Sequence, residues 1–269
     1  AYKNLGNALQ KTRFVTSRPD LSKIICDLLE YKTHVRPKDI AKSVVSLLRI
    51  EPAIKKLLSA PHVKLEKQQL NNIVSDLMKN KLLPKLMSIC PIPDIDLERL
   101  LAFVRYKTLL SIYNIEPSNE LLNFQSALAL QCFTNEYIFP LGDKEHLALK
   151  NLEAHVENIV RKSKQPEPHH LLCLASYRTL HEYDWHDLVV SSLSIEKVFT
   201  RQILEPKREE LLKQEIPLIE EITDTVSSNV RNQYEENPYP RWENLGLPGS
   251  SSSISKFLAD TQLRLVSHE

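Results

Sequence analysis

The sequence predicts an all-α protein: a multi-helix bundle or superhelical array, with a short extended Pro-rich segment near the C-terminus. Three observations predict it. Apolar residues recur at three- and four-residue spacing along most of the chain, and no stretch alternates every second residue between turn signals. The third is punctuation. The 269 residues include sixteen prolines and only four glycines (Gly6, Gly142, Gly246 and Gly249), where average usage of ~7% would give nearly five times as many.

The elements follow in order. The opening "AYKNLGNALQ" resembles the first helix of a tetratricopeptide repeat, with a Leu-Gly-x-Ala core where two helices pack closely. In "DLSKIICDLLEYK", Leu21, Ile24, Ile25, Leu28 and Leu29 form one apolar stripe, and Pro19-Asp20 is its start signal. "RPKDIAKSVVSLLRIEP" repeats the design, with Pro37 in the first turn, Ile40, Val44, Leu47 and Leu48 as the stripe, and Pro52 at the exit. Further helices are expected at about 52–59, 66–80, 94–113, 117–139, 143–163, 167–181, 192–203, 206–213 and 218–236. Pro61, Pro84, Pro91, Pro93, Pro117, Pro140, Pro166, Pro168, Pro206 and Pro217 mark corners, because proline removes a helical N–H and constrains the residue before it. The resulting division is a repeat-like helix at 1–18, a basic helical unit at 19–90 and a main helical domain at 91–242. A linker and short helix follow at 243–269, where "LGLPGSSSSIS" is the clearest flexible stretch.

Composition narrows the function classes. A hydrophobic share of 42% and a charged share of 26% are those of an ordinary globular protein. No apolar run approaches the ~20 residues of a membrane span. The N-terminus has neither an apolar leader nor a Met, and reads as the cut edge of a fragment. Glycine is the residue that lets backbone close around phosphate. With so few, the chain offers no Walker loop and no dinucleotide turn. Cys26, Cys90, Cys132 and Cys173 are far apart and mostly in apolar company, as buried reduced thiols of a cytoplasmic protein would be. Charge is uneven: residues 1–85 hold 17 Lys/Arg against 7 Asp/Glu, while residues 86–269 hold 18 against 27. Arg36, Lys38, Lys55, Lys56 and Lys64 form the candidate basic partner surface for an acidic protein or peptide. Nucleic-acid binding finds no aromatic-basic interleaving to support it.

Catalytic chemistry is not legible. "HEYDWHD" at 181–187 has its two histidines five apart, where a zinc-binding helix face needs four, so no metal ligand is assigned. It reads as a helix end with a solvated acidic turn, with Trp185 opening a packing layer. Adjacent carboxylates such as Glu209-Glu210 and Glu220-Glu221 point to different angular positions on a helix. No serine lies in a nucleophile-elbow context. "LLNFQSALALQCFTNEYIF" is a central apolar helix whose Gln131, Asn135 and Glu136 need partners if buried.

The most unusual stretch is "QYEENPYPRW". Asn237 and Tyr239 each precede a proline and are held extended, so the helix before them must give way. Tyr239 and Trp242 then offer large amphipathic surfaces and Arg241 a planar charged fork, which should lie against something.

Residues 120–242 resemble the helical region upstream of the catalytic domain in bacterial AdoMet-dependent methyltransferases that carry N-terminal tetratricopeptide repeats. The similarity is carried by "ALALQCFTNEYIF", "LLCLASYRTLHEYDW" and "EPKREELLKQEIPLIEEITDTVSSNVRNQYEENPYPRW", with "AYKNLGNALQ" as the repeat-like piece. The resemblance implies a non-catalytic region concerned with substrate recognition, regulation or domain arrangement. AdoMet is then the cofactor of a downstream catalytic domain, and none is bound by this chain. Tyr234, Asn237, Tyr239, Arg241 and Trp242 would form the interdomain or lid contact. The glycine-rich AdoMet loop expected after such a segment is missing before Glu269, so no catalytic residue is assigned. The alternative is a free-standing helical scaffold for protein–protein interaction.

Overall fold

The structure is a computed structural model and describes residues 2–31, 35–216, 224–236, 253 and 255–256. Among the described residues every regular element is helical. A first group comprises α1 (Tyr2–Leu9), α2 (Pro19–Tyr31), α3 (Pro37–Ile50), α4 (Pro52–Leu58), α5 (His62–Lys67), α6 (Leu70–Met78) and α7 (Leu82–Met87). Two long helices follow, α8 (Ile95–Leu110) and α9 (Asn119–Thr134), and then α10 (Asp143–Val160) and α11 (Pro168–Ala175). The last described segments are α12 (Glu196–Phe199), a π-helical turn (Thr200–Leu204), α13 (Glu205–Glu215) and α14 (Thr225–Glu236).

Local sequence explains most helix starts and stops. Pro19, Pro37, Pro52 and Pro168 are the first residues of their helices, where a missing N–H costs nothing. Asp94 and Ser118 cap α8 and α9, accepting from the backbone N–H of Leu97 and Leu121 at 3.0 and 3.1 Å. With glycine scarce, two helices end on left-handed residues that carry side chains. After α9, Glu136 and Tyr137 adopt φ of 55° and 56°, and Tyr137 N–H donates back to Cys132 O at 2.8 Å. After α10, Ser163 takes φ 58° and Lys164 N–H donates to Ile159 O at 3.2 Å. Both are six-to-one closures normally given to glycine. They stop the two helices at 134 and 160, short of the expected 139 and 163.

Two proline corners turn out otherwise. Pro84 lies inside α7, a helix absent from the periodicity, because the third helical position also needs no N–H partner. Pro206 interrupts nothing: α12, the π turn and α13 run on from Glu196 to Glu215. The widened turn sits where the pyrrolidine would otherwise press on the carbonyl of Gln202, four residues back. The expected helix at 66–80 is instead α5 and α6, broken at Gln68–Gln69.

The apolar interior forms two clusters that share the long helices. The first gathers α1–α7 with Leu97, Leu101 and Val104 of α8 and Leu121, Phe124, Leu128 and Cys132 of α9. It runs straight through "CPIPD", burying Cys90 and Ile92, while Arg49 reaches across to Asp94 and Asp96 at 2.7 and 2.9 Å. The second gathers Leu109, Ala129 and Leu130 with α10, α11, Trp185, Val198 and Ile203. At the N-terminus Gly6 is buried against Val35, whose Cβ lies 3.0 Å from where a glycine side chain would begin. That close approach is why this position carries no side chain. No described helix is long and apolar enough to cross a membrane.

Candidate functional site

The helix from Glu196 to Glu215 changes character along its length. Its inner half buries Val198, Gln202 and Ile203 against the second cluster. Its outer half, α13, buries no residue and leaves Leu204, Leu211, Leu212 and Ile216 exposed beside it. In α14 the described side chains are exposed apart from half-buried Ser228, and Val226, Val230 and Tyr234 fall at i, i+4 and i+8 on one face. Tyr234 is 62% exposed. α13 is thus an arm that displays apolar side chains on a buried root, and α14 displays an apolar stripe of its own.

The root is fixed by polar contacts. Gln202, 0% exposed, accepts from Leu180 N–H at 3.2 Å through Oε1. Its Nε2 donates to Ala175 O at 3.1 Å and Ala129 O at 3.4 Å, joining the arm to the ends of α11 and the middle of α9. Lys207, one turn outward, pairs with Asp187 and holds that carboxyl below the usual range. A π turn that carries a buried, fully engaged side chain is a common mark of a functional joint.

A second polar node lies between the two apolar clusters. Arg105 of α8 is 2% exposed and stacks on the rings of Tyr177 and Phe139, 4.2 and 5.2 Å from their centroids. Its guanidinium donates to Pro140 O at 3.2 Å and stands 3.7 Å from Glu145 of α10. Glu145 also accepts from Tyr177 Oη at 2.8 Å and from Gly142 N at 3.1 Å. Arg105 Nε has no partner in this shell. Burial raises the Cys132 thiol to about 12, and raises Cys173 as well, so both thiols stay protonated and inert as nucleophiles near pH 7. The node is a structural pin: it fixes α8, α10 and the turn after α11 to one another.

The residues singled out by sequence fall in three groups. Asn237, Tyr239, Arg241 and Trp242 lie outside the described residues, leaving Tyr234 as the placed member of the interdomain set. Arg36, Lys38, Lys55, Lys56 and Lys64 are all exposed, Arg36 just before α3 and the rest spread over α3, α4 and α5. Lys56 is engaged with Asp76 at 3.2 Å, and Asp76 also pairs with Lys79. Lys107 of α8 donates to the carbonyls of Leu65, Glu66 and Gln68, closing the end of α5. In "HEYDWHD" the side chains diverge. Asp184 pairs with Arg161 at 2.6 Å, Trp185 is buried and stacked 4.6 Å from Tyr183, and Asp187 meets His186 and Lys207. Among the described residues no group of three or more His, Cys, Asp or Glu is arranged to hold a metal ion. In α9, Gln131 is buried, and with its amide suitably turned it serves Met87 O, Cys90 O and Ile92 N at 3.1–3.3 Å.

Sequence reasoning passed over Arg105 and Gln202. Arg105 had one signal, a single charge inside the apolar run "LLAFVRY". Gln202 had none, since its partners are backbone atoms from three remote segments. An open recess of about 600 Å³ runs along one face of α10, lined by Asp143, His146, Leu147, Leu149, Lys150 and Glu153. It converges on no buried polar group and supports no catalytic assignment. No protein-family model matches the chain, and neither a curated protein nor a solved structure matches it.

Proposed function

We propose that this chain is the non-catalytic helical region of an AdoMet-dependent methyltransferase, a compact helical body whose C-terminal arm seats a catalytic domain. One observation carries the reading. α13 and α14 leave Leu211, Leu212, Ile216, Val226, Val230 and Tyr234 exposed although the body that carries α13 has a well-packed interior. Each such side chain forgoes part of the roughly 1.5–3 kcal/mol that full burial of a large apolar side chain is worth, which a docked surface would recover. The arm leads into the Pro-Tyr-Pro-Arg-Trp segment that the resemblance assigns to the interdomain contact. In this reading AdoMet binds the partner domain, and this chain contributes position and substrate access.

The test is calorimetry with hydrogen exchange. This chain alone should bind no AdoMet. Joined to a methyltransferase domain of that class, it should gain cofactor binding and show slowed exchange across 205–216 and 225–236. Trp242→Ala should weaken the joined protein more than it affects this chain. Unchanged exchange in the arm, or AdoMet binding by this chain alone, would overturn the proposal.

The second reading is a scaffold for an acidic protein or peptide, favoured by the exposed Lys55 and Lys64 on neighbouring short helices. Capture of such a partner without any methyltransferase domain, lost when Lys55, Lys56 and Lys64 are changed to Glu, selects that reading.

A further inference from the structure

The first turn of α11 places two imidazoles in the interior without a hydrogen-bond partner for either Nδ1. His169 and His170 are 6% and 7% exposed, and their rings lie 4.1 Å apart. His155 of α10 stands edge-on to His170 at 5.1 Å, and Tyr113, in the turn after α8, is 5.3 Å from His155 and 5.6 Å from His170. The surroundings hold little to neutralise a positive charge. α10 contributes another imidazole and the turn after α8 contributes a phenol. Glu167, just before α11, and the backbone of Ile112 are the two groups that favour a charged His169, and burial outweighs them; Cys173, further along that helix, is a protonated thiol. From α9, Gln125 donates to His169 O at 3.3 Å and leaves its own Oε1 unpaired. α8 faces the other end of α11, where Arg105 is a further positive charge. The histidine ion pair found among the described residues, His186 with Asp187, lies elsewhere.

The far end of the same eight-residue helix holds the arm. Ala175 O, its last carbonyl, accepts from Gln202 Nε2 and from Tyr137 Oη at 3.1 and 3.2 Å. One short rigid element therefore touches both the imidazole pair and the root of the arm. We propose that α11 is an acid-operated latch: neutral imidazoles let it seat, and proton uptake by the His169–His170 pair unseats it and frees the arm root.

Burial lowers the His170 imidazole to about 4, with His169 and His155 adding repulsion, and burial lowers His169 as well. An imidazole below its ordinary value in the folded protein makes the unfolded or unseated form the better proton binder. Its stabilising effect is complete above the free value of ~6.5 and is lost as pH falls toward 4. For His170 alone, the ratio of open to seated molecules rises about twentyfold between pH 7 and pH 5. The latch operates whatever the arm binds, so its failure and the failure of the docking proposal are separate results.

The experiment is NMR of the whole chain across pH 7.5 to 4, following the His170 ring and the backbone amides of Val198–Ile203, with urea denaturation at pH 7 and 5. The ring and the arm-root amides should change together, with one midpoint between 4 and 6.5. His170→Phe, which keeps the ring volume and removes the proton site, should abolish most of the twentyfold pH effect. A His170 ring that titrates near 6.5, or one that titrates while the amides stay fixed, overturns the latch. If His170→Phe does not fold, the ring titration of the unmodified protein decides the question.

Discussion

Helices α9 and α13 are both amide ladders of ordinary length, and they live in opposite environments. α9 has sixteen residues, one of them charged, and buries ten, from Leu121 to Phe133, around nearly its whole circumference. α13 has eleven residues, seven of them charged, and buries none. The first is helical because packing demands it; its Gln125 and Gln131 are tolerated only where carbonyls can receive them. The second is helical because Glu, Lys, Arg and Leu favour the state and Glu209–Lys213 has the helpful i, i+4 order. Periodicity reports that a helix exists. The number of faces that are apolar reports what surrounds it.

Substitutions can break or sharpen that contrast. Phe124→Ala, at a 0% exposed position of α9, should cost about 3–5 kcal/mol in urea denaturation. Glu145→Ala should fall in the same range, about 3–5 kcal/mol, because it leaves Arg105 buried and uncompensated. Adding Arg105→Met to that variant should recover part of the loss, and no recovery would show that the pair contributes nothing beyond packing. Gln202→Leu should cost roughly 1–3 kcal/mol by stranding Leu180 N–H, and should speed exchange in 198–204 before any other segment. Glu136→Gly should stabilise by roughly 1 kcal/mol by relieving a left-handed residue. Leu211→Ser in the arm should stay within about 0.5 kcal/mol of the unmodified protein. A loss of several kcal/mol there would mean that the arm packs on the body after all.

The all-α class was legible because stripes such as Ile40, Val44, Leu47 and Leu48 recur so regularly, and all four are buried on α3. α7 was not, because "LLPKLM" is too short to display a period and Pro84 imitates a corner. The join at Pro206 reads as a break, since nothing in the local sequence announces a π turn. Both misses come from treating proline as a boundary when only its position within a helix decides its cost. For the candidate site, the exposure of Tyr234 and of the surface lysines follows from local composition. Arg105 and Gln202 do not, since a buried polar side chain is identified by backbone groups 22–73 residues away. The His169–His170 pair was visible as a dipeptide, but His155 joins it only through the packing of α10 on α11.

The uninterrupted run from Glu196 to Glu215 gives the molecule a lever. At ~1.5 Å of rise per residue, α13 projects about 16 Å past its anchorage. A tilt of about 10° where Gln202 grips the carbonyls therefore displaces the tip by about 3 Å, large against the ~1 Å tolerances on which positioned chemistry depends. Aiming accuracy at the outer end is thus set close to the fulcrum, by the three hydrogen bonds of Gln202 and the Lys207–Asp187 pair one turn on.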